Sequence, residues 1–432
     1  MLDLIIFGGA GDLALRKLLP SLYYLYKDDK LPKSCRITCI SRAMISDDDF
    51  LKLVENKLAY FLKDDFNDTD WQAFKGLLKY QNIDLSGADD WHKLVNQLSI
   101  DPQDKNRDII YYLSVPPTLF APICEQIKAH QLNPEYARLV VEKPLGEDYQ
   151  SAILINDVVA ESFSEKQIYR IDHYLGKPAV QNIPKLRFDD GKMEEIWNKD
   201  HIKSVEITIS ETVGVEDRAE FLDRAGILRD MVQNHIMQLL CYVAMEKPKS
   251  FGADHIRDAK LNLINALCPI DESNIVTNSI RGQYEQGYSD GKVVPSYQQD
   301  IMLSKNKVAG DGETYVALKV NINNKRWQDV DFYLTTGKRL SARFGHIIIN
   351  FKDREPLKIK IKYPLVSPNQ LRIAKAYEVL ILDIIKGQQT YFVRGDEIMA
   401  SWKWIDKIRS VWEKTAMPMS YYKAGSKGPR LD

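Results

Sequence analysis

The chain opens on Leu4-Ile5-Ile6-Phe7, a short apolar run that breaks into Gly8-Gly9-Ala10-Gly11-Asp12-Leu13-Ala14. From Leu15 onward, leucines recur at helical spacing as Leu18, Leu19, Leu22 and Leu25. A buried strand, a tight turn and an amphipathic helix in immediate succession form the unit from which parallel sheets are wound. Further strand-like runs follow at 36–40, 108–113 and 137–141, separated by helical stretches. Strands alternating with helices predict an α/β Rossmann domain with a doubly wound parallel sheet.

Beyond about residue 178 the period changes. Val205, Ile207 and Ile209 alternate with Glu206, Thr208 and Ser210, and Leu357, Ile359, Ile361 and Tyr363 alternate with Lys358, Lys360 and Lys362. Period two marks strands with one wet face, as in a mainly antiparallel sheet. Helices are predicted over 226–245, 371–386 and 396–412, the last with Asp396 as its cap. A length of 432 residues exceeds what one core organises. The sequence therefore predicts a Rossmann domain over 1–177 and a C-terminal α+β domain over 178–432. The tail after Pro418, rich in Gly, Ser and Lys, reads as a loosely held end.

Lys plus Arg number 59 against 60 for Asp plus Glu, so no overall field recruits nucleic acid or an anionic membrane. Any affinity for phosphate must be local. The five cysteines (Cys35, Cys39, Cys124, Cys241 and Cys268) are scattered without a CxxC pair, which argues against a disulfide framework and a structural zinc site. No metal site is expected. A strand beginning at residue 4 leaves no room for a signal peptide, and no apolar run reaches membrane-spanning length. The expectation is a cytoplasmic protein.

In the opening turn, Gly8, Gly11 and Ala14 have the spacing of a dinucleotide fingerprint, which makes Gly8, Gly9, Ala10, Gly11, Asp12, Leu13 and Ala14 candidates to face a pyrophosphate. Packing alone asks for small residues in many such turns. After the second strand, where NAD-selective folds present a carboxylate, stand Ser41 and Arg42. A guanidinium there suits the 2′-phosphate of NADP, and suits a plain surface as well. Ser114-Val115-Pro116-Pro117 follows a buried strand, so Ser114 and Pro116 either line a nicotinamide crevice or belong to a proline-stiffened loop. The run Arg170-Ile171-Asp172-His173-Tyr174-Leu175-Gly176-Lys177 sets imidazole, phenol and ammonium beside a carboxylate. Such donors are costly to desolvate without a ligand and suit a sugar phosphate.

That run resembles the active-site signature of the glucose-6-phosphate dehydrogenase family. The opening is similar to the family's GxxGDLAxRK segment, with Lys17 at its conventional lysine. Tyr112-Leu113-Ser114-Val115-Pro116-Pro117 resembles the nicotinamide loop, Glu142-Lys143-Pro144-Leu145-Gly146 the EKPxG element, and residues 230–248 the long catalytic helix. Arg281-Gly282-Gln283-Tyr284, Gly337-Lys338-Arg339-Leu340 and Phe392-Val393-Arg394 follow in the family's order.

The resemblance implies oxidation of glucose 6-phosphate at C1, with hydride passing to NADP, in a homodimer or homotetramer. It implies His235 as the general base, paired with Asp172. From the residues alone, His235 on the apolar stripe of Leu228, Met231, Val232, Leu239 and Tyr242 reads first as a core histidine, and the resemblance is what turns it into a base. His173, Tyr174 and Lys177 would hold the 6-phosphate, with Lys338 and Arg343 adding cationic contacts. Glu211 and Asp230 would accept from sugar hydroxyls, or serve as ordinary strand-end and helix-start carboxylates. Lys143 would donate to a sugar hydroxyl beside the cofactor.

The pattern departs from the family at two places. Thr335 stands where an arginine is usual, and a short 364–370 connection replaces further strands of the sheet. Two other readings follow: a related sugar dehydrogenase that turns over unphosphorylated sugars, or a catalytically weak NADP-binding relative.

Overall fold

Six parallel strands arise where the sequence is apolar and β-branched: β1 (Leu2–Phe7), β2 (Cys35–Ser41), β3 (Leu78–Asn82), β4 (Asp108–Leu113), β5 (Ala137–Val141) and β6 (Ile168–Arg170). The computed structural model describes residues 1–100, 107–189, 191–289, 291–305, 310–361 and 375–431. The strands pair in the order β3-β2-β1-β4-β5-β6, all parallel. The order reverses between β1 and β4, and the crevice beyond the strand ends at such a switch point is where dinucleotides bind in this fold. β3 and β6 escaped the periodicity reading because Leu78–Asn82 carries only two buried residues and Ile168–Arg170 is three residues long. Leu15, Leu18, Leu19, Leu22 and Leu25 are all buried against the sheet.

The chain divides into two compact units, the first comprising Met1–Gly146, Gln150–Gly176 and Ile373–Gly395. The sequence division at 177 does not anticipate this late return. Leu380, Ile381 and Ile384 of the helix Ala376–Ile385, together with Phe392, join the core built on β1, β2 and β4, which is why the segment belongs there. At the foot of the sheet, buried Asp3 is held by Arg36 at 2.6 Å and by Arg107 at 2.7 Å.

The second unit is built on β7 (Ile202–Ser210), β8 (Ser279–Glu285), a hairpin of β9 (Gly287–Ser289) and β10 (Lys292–Val294), β11 (Tyr315–Val320), β12 (Asp331–Gly337), β13 (Phe344–Phe351), β14 (Leu357–Lys360) and β15 (Met419–Lys423). Seven strands pair in the order β14-β13-β7-β12-β11-β8-β15. The β7–β12 and β8–β15 pairs are parallel and the rest antiparallel, so the sheet is mainly antiparallel. The period-two pattern is realised in β7, where Val205, Ile207 and Ile209 are buried and Glu206 and Thr208 half-exposed.

Three expectations are corrected here. The helix expected over 226–245 starts later, at Leu228, because Gly226 has φ +67° and breaks the preceding helix Ala219–Ile227. It then runs as a π-helical stretch Leu228–Ile236 and an α-helix Met237–Ala244. Asp396 lies inside the first turn of Gly395–Lys414, its Oδ1 accepting from the Glu397 amide at 2.8 Å, and is not an outlying cap. The tail after Pro418 is held: β15 pairs with β8, and the Tyr315 hydroxyl donates to the Pro429 carbonyl at 2.5 Å. Residues 362–374, which include the expected shortened connection, lie outside the described residues. Among the described residues no helix is long and apolar enough to cross a membrane.

Candidate active site

In the first unit the glycine turn closes directly on the sheet. The Gly8 and Gly9 amides both donate to the Ile40 carbonyl, at 2.8 and 2.9 Å, and the Gly11 amide donates to the Gly8 carbonyl at 2.8 Å. Gly8 has φ +82°, and a Cβ there would lie 2.2 Å from the Ser114 carbonyl oxygen, so only glycine fits. A Cβ on Gly9 would lie 2.5 Å from that of Cys39, so this glycine sets how closely the turn packs on β2. The following helix begins with the π-helical turn Ala14–Leu18, with Ala14 buried and Lys17 exposed. Ala10 and Leu13 are half-buried and pack against the core, while Asp12 is exposed and pairs with Arg16 at 2.9 Å.

Arg42 is exposed beyond the end of β2, while the Ser41 hydroxyl is bonded to Tyr80 Oη at 2.7 Å and accepts from the Ala43 amide at 3.2 Å. The Ser114 Oγ is buried with no hydrogen-bond partner among the described residues, at the end of β4 and against the glycine turn; Pro116 beside it is exposed. An orphaned hydroxyl beside a glycine-lined turn is the donor set that a nicotinamide dinucleotide satisfies.

The same unit carries Lys143, Asp172, His173 and Tyr174. Asp172 is buried, and its Oδ1 accepts from the Tyr174 amide at 2.9 Å, which folds the run into a tight turn. The His173 ring lies edge-on to Tyr174 at 5.2 Å and nearly parallel to Tyr377, the two planes 9° apart with centroids at 6.2 Å. Tyr377, from the returning helix, was not a sequence candidate. Glu142, next to half-buried Lys143, accepts from the Tyr112 hydroxyl at 2.6 Å and is also hydrogen-bonded to Tyr377. Burial pushes its carboxyl up to about 7, against the two phenols and the Lys143 ammonium.

In the second unit the parallel register of β7 and β12 pairs Ser210 with Gly337, so the residues that follow emerge side by side. Lys338 Nζ donates to Glu211 Oε2 at 2.7 Å. Burial pushes the Glu211 carboxyl up, but the Lys338 charge and hydrogen bond, helped by Arg343, outweigh it and hold the group below the usual carboxylate range. Arg343 itself is exposed. Thus two predicted ligands of opposite charge, Glu211 and Lys338, are one another's partners. Thr335, two residues before Gly337, faces a cleft of about 630 Å³ with Thr208, Tyr333 and Phe344, and that cleft holds none of the predicted site residues. Lys177 sits at the N-cap of the helix Pro178–Phe188, half-buried.

His235 is buried in the π-helical stretch Leu228–Ile236. Hydrogen bonding from i to i+5 brings residues five apart to one face, so Asp230 and His235 share a side that α-helical spacing would separate. Arg218 holds Asp230 through its two terminal nitrogens, Nη2 donating to Oδ1 at 3.1 Å and Nη1 to Oδ2 at 3.4 Å. Glu313, half-buried and distant in sequence, caps the stretch: its Oε1 accepts from the Leu228 amide at 2.9 Å, and its backbone carbonyl accepts from the Ile227 amide at 2.9 Å. A Cβ on Gly226 would lie 2.2 Å from that carboxylate oxygen. Neither Glu313 nor Arg218 had a signal in the sequence, since each is defined by a partner elsewhere in the chain.

The chain matches two family models, "Glucose-6-phosphate dehydrogenase, NAD binding domain" over residues 5–182 and "Glucose-6-phosphate dehydrogenase, C-terminal domain" over 184–375 and 355–431. It is 40% identical to the glucose-6-phosphate 1-dehydrogenase of Rhizobium meliloti (strain 1021) over 469 aligned positions, covering 99% of this chain and 94% of the relative. The enzyme of the same name from Dickeya dadantii (strain 3937) is 37% identical, with the same coverage of each chain. A solved glucose-6-phosphate dehydrogenase in complex with its substrate glucose 6-phosphate is similar with a TM-score of 0.87 and 30% identity, over 99% of this chain and 95% of that one. With both domain models matched and relatives covered almost end to end, the chain belongs to the glucose-6-phosphate dehydrogenase family of oxidoreductases, whose N-terminal domain binds a nicotinamide cofactor.

Proposed function

We propose that the chain oxidises D-glucose 6-phosphate at C1 to 6-phospho-D-glucono-1,5-lactone, the first step of the oxidative pentose phosphate pathway, with NADP as cofactor. The observation that carries this reading is the near end-to-end relationship to enzymes of that name, with the polar set the reaction needs present along the whole chain. NADP, when bound, accepts the hydride from C1. It would lie along Gly8 to Ala14, with Lys17 and Lys143 nearby, Ser114 and Pro116 at the nicotinamide end, and Ser41 and Arg42 at the 2′-phosphate. Support for NADP over NAD is the exposed guanidinium of Arg42 just past β2, where the other cofactor is usually met by a carboxylate.

His235 takes the C1 hydroxyl proton. Asp172 accepts from its other ring nitrogen, fixes the tautomer and stabilises the imidazolium that forms. His173, Tyr174 and Lys177 hold the 6-phosphate, and Lys338 and Arg343 add positive charge. Glu211, kept ionised by Lys338, and Asp230, kept in place by Arg218, accept from sugar hydroxyls. Lys143 donates to a hydroxyl near C1. We place the protein in the cytoplasm, since Cys35, Cys39, Cys124, Cys241 and Cys268 are all unpaired thiols. Association as a homodimer or homotetramer is to be read from the mass in solution.

The test is growth of reduced-nicotinamide absorbance with glucose 6-phosphate, run beside glucose and beside NAD. His235→Asn should lower kcat by about 10²- to 10⁴-fold, the usual contribution of a general base. Near-normal turnover in that variant would refute the assignment. Equal turnover of glucose would favour a related sugar dehydrogenase, and NADP binding without turnover a weakened relative.

A further inference from the structure

Glu142, Tyr112 and Tyr377 have no part in the mechanism above, yet they form a closed polar cluster inside the first unit. Tyr112 lies next to the end of β4, Glu142 directly follows β5, and Tyr377 is in the first turn of the returning helix Ala376–Ile385. The Tyr112 hydroxyl lies 2.6 Å from Glu142 Oε1, and Tyr377 is hydrogen-bonded to the same carboxyl. Glu142 is 8% exposed and Tyr112 2% exposed, so water does not supply these bonds. An apolar trio would pack such a place more cheaply, which asks what the polar one does. The Tyr377 ring gives the answer. It lies 9° from parallel to His173, a ring that Tyr174 meets edge-on.

We propose that Glu142 is a positioning residue for substrate binding: by holding Tyr377 it fixes the plane of the His173 imidazole, and so sets affinity for the phosphorylated end of the substrate. The inference rests on the reading of His173 as a phosphate donor. Ionised Glu142 accepts from both phenols. Protonated, it must give its own hydrogen to one of them, and that phenol has to turn its proton away. The charged and titratable groups that face the cluster are Lys143, Asp172 and, next to Tyr377, Arg16 and His173. Lys143 and Arg16 are donors only and cannot take over as acceptors, so the hold of Glu142 on Tyr377 weakens when its carboxyl is neutral.

The test compares wild type, Glu142→Gln, Tyr377→Phe and the double variant by KM for glucose 6-phosphate, KM for NADP, kcat and thermal midpoint. Each single change should raise KM for the sugar phosphate roughly tenfold, with kcat within about threefold and KM for NADP unchanged. The double variant should be no worse than the poorer single, because both act through one connection. Wild-type KM should rise as pH falls through about 7, the value to which burial lifts this carboxyl, and this step should be missing from Glu142→Gln. Inorganic phosphate, used as a competitive inhibitor, should weaken in parallel with KM. Equal losses in kcat and kcat/KM, unchanged KM in both singles, or full additivity in the double would each overturn the proposal. A lowered thermal midpoint with kinetics unaltered would also overturn it and leave a structural role only. A wild type that does not turn over glucose 6-phosphate would instead sink the functional reading on which it rests.

Discussion

Replacing Lys338 by methionine isolates the contest of charges at the ends of β7 and β12. The change keeps the length and apolar stem of the side chain and removes only the ammonium, which lies 2.7 Å from Glu211 Oε2. Breaking a buried ion pair from one side costs about 3–5 kcal/mol, because the abandoned charge stays desolvated. Lys338 is 6% exposed at its side chain and Glu211 25%, so water reaches the abandoned carboxylate in part. The expected loss is therefore about 2–3 kcal/mol at neutral pH, a drop of roughly 5–10 °C in the thermal midpoint for a unit of this size. Trp197, Trp327, Trp402, Trp404 and Trp412 all lie in the second unit, which makes tryptophan fluorescence a suitable reporter.

The pH dependence carries a sign that a simple packing defect would not. In the wild type Glu211 is held below its ordinary value, so its contribution is present above the unfolded carboxyl value and is lost as pH falls through the folded one. In Lys338→Met, burial acts without its main opponent and lifts the folded value above the unfolded one. The deficit then grows as pH rises from roughly 4 through the raised value. The gap between the two proteins should be widest at about pH 8 and close toward about pH 4. Glu211→Gln in the Lys338→Met background should recover most of the loss. A gap that is equal at both pH values, or absent at both, would refute this account and reduce the pair to the ~0–1 kcal/mol of an exposed one.

Three further outcomes follow from other parts of the molecule. Gly226→Ala must either strain a φ of +67° or displace the Glu313 carboxylate that caps the His235 stretch, so kcat should fall at least about tenfold with KM for NADP little changed. Lys260 and Glu397 form a fully buried pair at 2.7 Å, with Gln238 as a further partner of the lysine. Lys260→Ala should therefore cost about 3–5 kcal/mol in denaturant unfolding, and the double variant Lys260→Met/Glu397→Leu should recover much of it. Arg42→Ala should raise KM for NADP by about tenfold or more and leave KM for NAD nearly unchanged, since one charge-assisted contact to a phosphate is worth ~1.5–3 kcal/mol.

Much of the scaffold was legible from local pattern. The β1 run, the glycine turn and the leucine helix are contiguous in sequence, and their periods report which side chains face a core. The alternation of Val205, Ile207 and Ile209 announced a one-sided sheet for the same reason. The tail was misread because Gly, Ser and Lys describe its composition and not its partner: β15 is ordered by β8, more than 130 residues away. Helical spacing did not show that Asp230 and His235 share a face, because apolar residues three and four apart fit an α-helix and a π-helical stretch alike.

The candidate residues themselves were mostly local finds, yet what each one is bound to was not. Asp172, His173, Tyr174 and Lys177 stand together within six positions, and residue type alone marks the last three as candidate anion donors beside a carboxylate. That Lys338 neutralises Glu211 across 127 residues, that Glu313 caps a helix 85 residues earlier, and that Tyr377 and Tyr112 converge on Glu142 depend on register and burial. The sequence by itself determined the strands, the turn and the chemical types available, since these follow from nearest-neighbour sterics and hydrophobic period. Only the tertiary structure decided which charges are paired, which carboxyl is lifted toward neutrality and which glycine is obligatory, because desolvation and long-range contact exist only once distant segments share a core.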